Sequence, residues 1–211
     1  ATAQNWQPAH WLDREGLSAW AREPLFGYYL ALLVLTVVIL GTMAIRRPWQ
    51  FGIILPSGKD WLRLLPFAVA CGLSDLLPVP GKALFAADPV AAWTIALVLI
   101  PLAMELLFRS LAHGMMAQLA TIQDCESRWF FSGPTIGSSL LYTAAVSVQM
   151  TMMPFDPTFP RTLVFMGQFA AMAAIFGLFT GMIRERSHSI LPAWLFHAAA
   201  AATLILAYGP P

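Results

Sequence analysis

Glu105, Arg109 and His113 follow one another at intervals of four in the otherwise apolar segment Pro101-Leu-Ala-Met-Glu-Leu-Leu-Phe-Arg-Ser-Leu-Ala-His113. At helical spacing all three share one face, each about a turn from the next. Ionisable groups inside a membrane segment point into a bundle, where they pair or do work. On the residues alone, Glu105 and Arg109 read equally as a structural ion pair tying a helix to its neighbours and as part of a catalytic or substrate site. A second candidate, His197, lies in Leu191-Pro-Ala-Trp-Leu-Phe-His197 ahead of five alanines. That smooth face lets another helix or a flat cofactor approach closely. Ala193, one turn before, makes a spacing that also suits a chlorin or haem with His197 as axial ligand. Gln149 and Gln168 are polar residues at membrane depth, for which hydrogen bonding between helices is the favoured account. Gly177-Leu-Phe-Thr-Gly181 has the spacing of close helix packing.

Several other chemistries are missing from the sequence. No HExxH offers a metal two histidines and a base, and no glycine-rich loop could cradle phosphate. Ser138 and Ser139 lack the GxSxG setting of a serine nucleophile. Cys71 and Cys125 are far apart, one in an apolar run and one in a polar loop, so neither a disulfide framework nor a metal site is expected.

The elements that must hold these side chains are membrane helices. Of 211 residues, 58% are hydrophobic and only 11% are charged. Mean hydropathy is +0.67, whereas a soluble domain is about a quarter charged. Net charge is +1, with no basic cluster interleaved with aromatics, so no nucleic-acid partner is expected. The expected fold is all-α, a polytopic transmembrane helical bundle of about six spans. Apolar segments of sufficient length occur near 26–45, 61–79, 92–119, 134–153, 162–183 and 189–208. The second is the weakest, with Asp75, Pro78 and Pro80 at its end; the third is overlong, hence tilted, broken or extended beyond the bilayer. Residues 1–25 form a separate segment carrying Trp6, Trp11 and Trp20 among mixed charges. They lack the layout of a signal peptide and read as an interfacial helix. The first residue is Ala, from which a processed or trimmed start is expected. Residues 26–211 form one transmembrane domain.

Basic residues set the expected orientation. Arg46, Arg47, Lys59, Arg63, Arg128, Arg184 and Arg186 lie on one side, and Arg14, Arg22, Lys82 and Arg161 on the other. The excess places the N-terminus on the exoplasmic side and the Arg46–Arg47 and Arg184–Arg186 connections in the cytoplasm. The expected setting is the inner (cytoplasmic) membrane of a bacterium.

Over about residues 92–208 the chain resembles the CPBP, or Abi, membrane proteins, which include CAAX prenyl endopeptidases and bacteriocin-processing relatives. The first motif of that family is Glu-Glu-x-x-x-Arg, and this chain reads Met104-Glu105-Leu-Leu-Phe-Arg109. The last is a histidine after a Gly-rich helix, a basic turn and a segment of the type Ser-Leu-x-x-Pro. Here Gly177 to Gly181, Arg184-Glu-Arg-Ser-His-Ser-Ile-Leu-Pro192 and His197 keep that order. The resemblance implies peptide hydrolysis within the membrane, a glutamate and a histidine activating water and a second histidine with an asparagine holding the oxyanion. Three of those positions fall on Met104, Val146 (in Tyr142-Thr-Ala-Ala-Val146) and Ala201, none of which can move a proton. Removing buried polar groups together costs less than leaving one unpaired. The expectation is therefore a proteolytically inactive member, with no cofactor or metal. It would act as an accessory or scaffold subunit that binds another membrane protein or complex within the lipid bilayer. In it Arg109, His113 and Gln149 are structural or site-supporting. One alternative is an active CAAX-type glutamic endopeptidase with Glu105 as base and His197 as oxyanion donor; the other is a pigment- or haem-associated subunit with chlorin or haem at His197.

Overall fold

A computed structural model describes residues 24–56, 66, 93–120, 131–152 and 163–208. The interfacial segment 1–25 falls almost wholly outside these residues, as does nearly all of the 61–79 span. Among the described residues every regular element is helical. Helix α1 is Pro24–Met43 and α3 is Gly133–Met152; α4 is Leu163–Ser187 and α5 is Ile190–Tyr208. Helix α2 runs without a break from 95 to 120 as four stretches: Ile95–Leu99, Ile100–Glu105, Leu106–Ala112 and His113–Ala120. The chain is an integral membrane protein. Three described helices are long and apolar enough to cross a bilayer, through Phe26–Met43, Ile95–Leu119 and Gly167–Ser187, and Ile190–Thr203 is a shorter apolar helix.

The overlong third span is thus unbroken, and its irregularity has another form. Its first and third stretches are π-helical, with the wider i→i+5 register. Pro101 accounts for the first. Proline has no N–H to give to the carbonyl of residue 97 and its ring crowds that group. The turn just before it is widened, the Ile100 amide reaching Ile95. The second widened stretch contains Arg109 and Ser110, both buried.

The largest core cluster joins Tyr29 of α1 and Ile95, Leu99, Met104 and Phe108 of α2 to Tyr142 of α3 and Ala173 of α4. Tyr29 and Gln149 exchange hydrogen bonds of 2.8 and 2.5 Å, fastening α1 to α3. Gln168 is exposed on α4, so the sequence reading of both glutamines as interhelical ties describes only the first. Helices α4 and α5 form a tight hairpin through His188, whose φ of 54° is left-handed. Ser189 caps α5 by accepting from the Leu191 amide at 3.3 Å.

After α1 the chain folds across the same end of the bundle as that hairpin. Two overlapping turns, closed by bonds such as Gln50 N to Arg47 O (3.1 Å) and Ile53 N to Pro48 O (3.0 Å), make a compact strap over 44–56. Phe51 is wholly buried beneath it. Ser110 Oγ donates to Phe51 O at 2.6 Å, Ser189 Oγ to Ile54 O at 2.6 Å, and the Ile190 amide to Gly52 O at 3.0 Å. Gly52 has φ of 69°, and a Cβ there would stand 3.3 Å from the Ile190 nitrogen; only glycine fits both demands. The Arg46–Arg47 connection and the Arg184–Arg186 hairpin therefore occupy one end of the molecule.

Candidate functional site

The centre of the bundle is built around the two charges on α2. Glu105 is 1% exposed and Arg109 0%. Arg109 Nε lies 3.7 Å from Glu105 Oε2, the i,i+4 ion pair expected from the sequence. It donates to Thr180 Oγ1 of α4 at 2.8 Å, and Nη1 reaches the Ser138 carbonyl of α3 at 3.4 Å. The guanidinium also faces the Tyr142 ring, 5.2 Å from its centroid. One arginine thus ties α2 to both α3 and α4.

Glu105 turns its other oxygen to α5. His197 Nδ1 and Glu105 Oε1 are 2.9 Å apart; with the carboxylate ionised, Nδ1 carries the proton and donates. The imidazole is held edge-to-face against Phe176 and Tyr142, at centroid distances of 4.8 and 6.4 Å. Glu105 and His197 are 92 residues apart in sequence, and this contact joins the two motifs singled out above. Such a pair can orient a histidine as a base, or simply neutralise two buried groups.

Beside His197 is a cavity of about 150 Å³ between α3, α4 and α5, walled by Tyr142, Val146, Phe176, Ala200 and Ala201. Val146 and Ala201 are two of the positions where the family pattern would have a histidine and an asparagine. Met104, the third, does not line this cavity; it is buried in the main core cluster, against which Val146 also packs. Sites for small organic ligands are roughly 300–1,000 Å³, larger than this space. Among the described residues no group of three histidine, cysteine, aspartate or glutamate side chains is placed to hold a metal.

His113 is buried one turn beyond Arg109 but does not join its network. Its Nε2 lies 3.5 Å from Glu185 Oε1 on α4, and Glu185 also accepts from Ser132, just ahead of α3. Ser138 and Ser139 both direct their hydroxyls to the Thr135 carbonyl, at 3.3 and 2.6 Å. They are spent on their own helix.

Two contributors were not singled out from sequence. Thr180 lies inside the Gly177 to Gly181 run, which was read for its glycines; a hydroxyl between two close-packing glycines is the signal that could have drawn attention to it. Arg184 is the other. In an α-helix the His113 amide would bond the Arg109 carbonyl, but in the widened turn it is shared between the Phe108 and Ser110 carbonyls. The Arg109 carbonyl accepts Arg184 Nε at 3.2 Å, while Arg184 Nη2 donates to Gln50 O of the strap at 2.5 Å.

Gly177 admits the guanidinium. A Cβ on it would sit 3.2 Å from Ser139 Cβ and 3.3 Å from Arg109 Nη2. Gly177→Ala is expected to lower stability by about 1–3 kcal/mol through overpacking, read as a drop in the thermal midpoint of the detergent-solubilised protein. An unchanged midpoint would mean that α3 and α4 separate there without cost.

A model of the family described as type II CAAX prenyl endopeptidase Rce1-like matches residues 86–203. That is more than half of the chain, and it contains Glu105, Arg109 and His197. The family resemblance read from the motifs is thereby borne out. No curated protein matches the chain, and neither does any solved structure.

Proposed function

We propose, from the premise that the chain belongs to the type II CAAX prenyl endopeptidase Rce1-like family, that it is a proteolytically inactive CPBP-type membrane protein. It serves as an accessory or scaffold subunit that binds another membrane protein. One observation carries the loss of activity. Glu105 is engaged by His197 and Arg109, while the cavity wall beside them has Val146 and Ala201 where polar groups would be needed. Water activation needs a base at the water and donors at the developing oxyanion, and the cavity wall offers only His197 and the Tyr142 hydroxyl.

The binding role draws support from α3. Ile136, Leu140 and Val148 are exposed along one stripe of that helix. A groove of about 290 Å³ between α3 and α4, walled by Phe131, Ile136, Leu140 and Leu178, adjoins it. Side chains of a neighbouring membrane helix pack into grooves of this kind. The protein would sit in the bacterial inner membrane with its N-terminus exoplasmic, the strap and the α4–α5 hairpin being cytoplasmic.

The 2.9 Å contact of Glu105 with His197 favours a second reading, a working peptidase that uses this pair. One assay separates them. The purified protein in lipid is expected to leave a panel of membrane peptides intact; cleavage that disappears in Glu105→Gln would establish the peptidase instead. Isolation in mild detergent is expected to bring down a stoichiometric membrane-protein partner. A free monomer in every preparation would end the subunit reading.

A further inference from the structure

The strap over 44–56 carries a surface that the central site does not use. We propose that it is a binding site for an anionic phospholipid, with the headgroup held by Arg46 and Arg47 and one acyl chain laid along α1. The proposal is independent of whether the chain cleaves peptides.

The surface combines three features. Arg46 and Arg47 are both exposed, directly after a span that ends at Met43. Trp49, 55% exposed, and Ile45, Ile53 and Leu55 stand outward from the same strap. A cation pair beside an indole at the end of a span matches the chemistry of the headgroup layer. Below it the exposed α1 side chains Val38, Leu35 and Val34, three and four residues apart, share one side of the helix and lead away from the arginines, giving a hydrocarbon chain an apolar track.

The charge balance favours an anion. Residues 44–56 contain no acidic residue. Glu185, the acidic residue of the adjoining hairpin, is directed to His113 and Ser132. His188 of that hairpin is exposed. The strap is also held in place rather than tethered only at its ends, through Phe51, Gly52, Ile54 and Gln50 bonded to α2, α4 and α5. The two arginines are therefore presented from a fixed turn, and little ordering is needed when a headgroup binds.

The test uses the whole protein in mild detergent, titrated separately with phosphatidylglycerol and phosphatidylcholine, with bound lipid counted by native mass spectrometry. Phosphatidylglycerol is expected to bind about thirtyfold more tightly, on the scale of two arginines near an anionic surface. Molar salt should erase the preference. In the Arg46→Gln, Arg47→Gln double variant the two lipids should bind alike. Both side chains are exposed, and an unchanged circular dichroism spectrum and thermal midpoint would verify that the fold is kept. Trp49→Ala should weaken both lipids together. Equal binding of the two lipids by the parent overturns the proposal, as does a preference that survives in the double variant. Displacement of the lipid by millimolar inorganic phosphate would also overturn it, by making the site one for the free anion.

Discussion

Arg109→Ala is expected to cost about 3–5 kcal/mol, the range for leaving one member of a buried ion pair without its partner. The cost arises from what remains. Glu105 keeps His197 but loses the cation on its other side. The Thr180 hydroxyl and the Ser138 carbonyl each lose a donor, and Tyr142 loses the charge over its ring. Lysine would not restore this set. Its single ammonium cannot reproduce the fork that reaches a hydroxyl and a carbonyl on different helices. In a double-mutant cycle, Glu105→Gln combined with Arg109→Met should cost clearly less than the two changes summed, because the pair is then removed together. Reversible unfolding in mixed micelles would measure these differences. A loss below about 1 kcal/mol for Arg109→Ala, of the size of a weak surface pair, would show that the charges are solvated in the folded protein.

Phe51→Ala should be comparably damaging, by about 3–5 kcal/mol, the range for emptying a well-packed aromatic site. The ring packs against α2 at Gly114, where a Cβ would come within 2.6 Å of Phe51 Cδ1 and 3.1 Å of the Gln50 carbonyl. Contact between Phe51 and α2 is therefore close enough to require glycine, and alanine at 51 leaves a hole that the rest of the strap cannot fill. The effect should be local as well as global. With its anchor removed, the strap should become a better trypsin substrate after Arg46 (the Arg47–Pro48 bond resists trypsin), while the helices resist until the bundle unfolds. An unchanged cleavage rate and midpoint would mean that the backbone bonds alone hold the strap.

Much of the helix layout was legible in the hydropathy of the chain. The apolar runs at 26–45, 134–153 and 189–208 correspond within two residues to α1, α3 and α5. The end of α4 was placed four residues early, at 183, because a charge normally closes an apolar run. Here the charged turn is still helix, since Arg184 is buried against backbone carbonyls and Glu185 meets His113. Glu105, Arg109 and His197 were also visible, as polar residues in apolar surroundings. What lay beyond the sequence was the long-range pairing. Nothing local says that His113 looks to Glu185, that Arg184 serves the backbone of α2, or that Phe51 is the buried member of a loop also containing exposed Trp49, Ile53 and Leu55. Those assignments depend on how helices meet, and an apolar face has the same composition whether lipid or protein covers it.

The wide turn at Leu106–Ala112 bears on how chains of this kind can diverge. A π turn accommodates one more residue than an α turn while the helix continues on either side. Gaining or losing such a turn would rotate every side chain before it relative to every side chain after it, without breaking the rod. In α2 the turn lies immediately after Met104 and Glu105, neighbours that project in different directions, one into the main core cluster and one toward His197. Which of two adjacent residues faces α5 is thus decided by the winding of the helix as well as by the order of letters, and a single inserted residue could exchange a carboxylate for a thioether at the heart of the bundle.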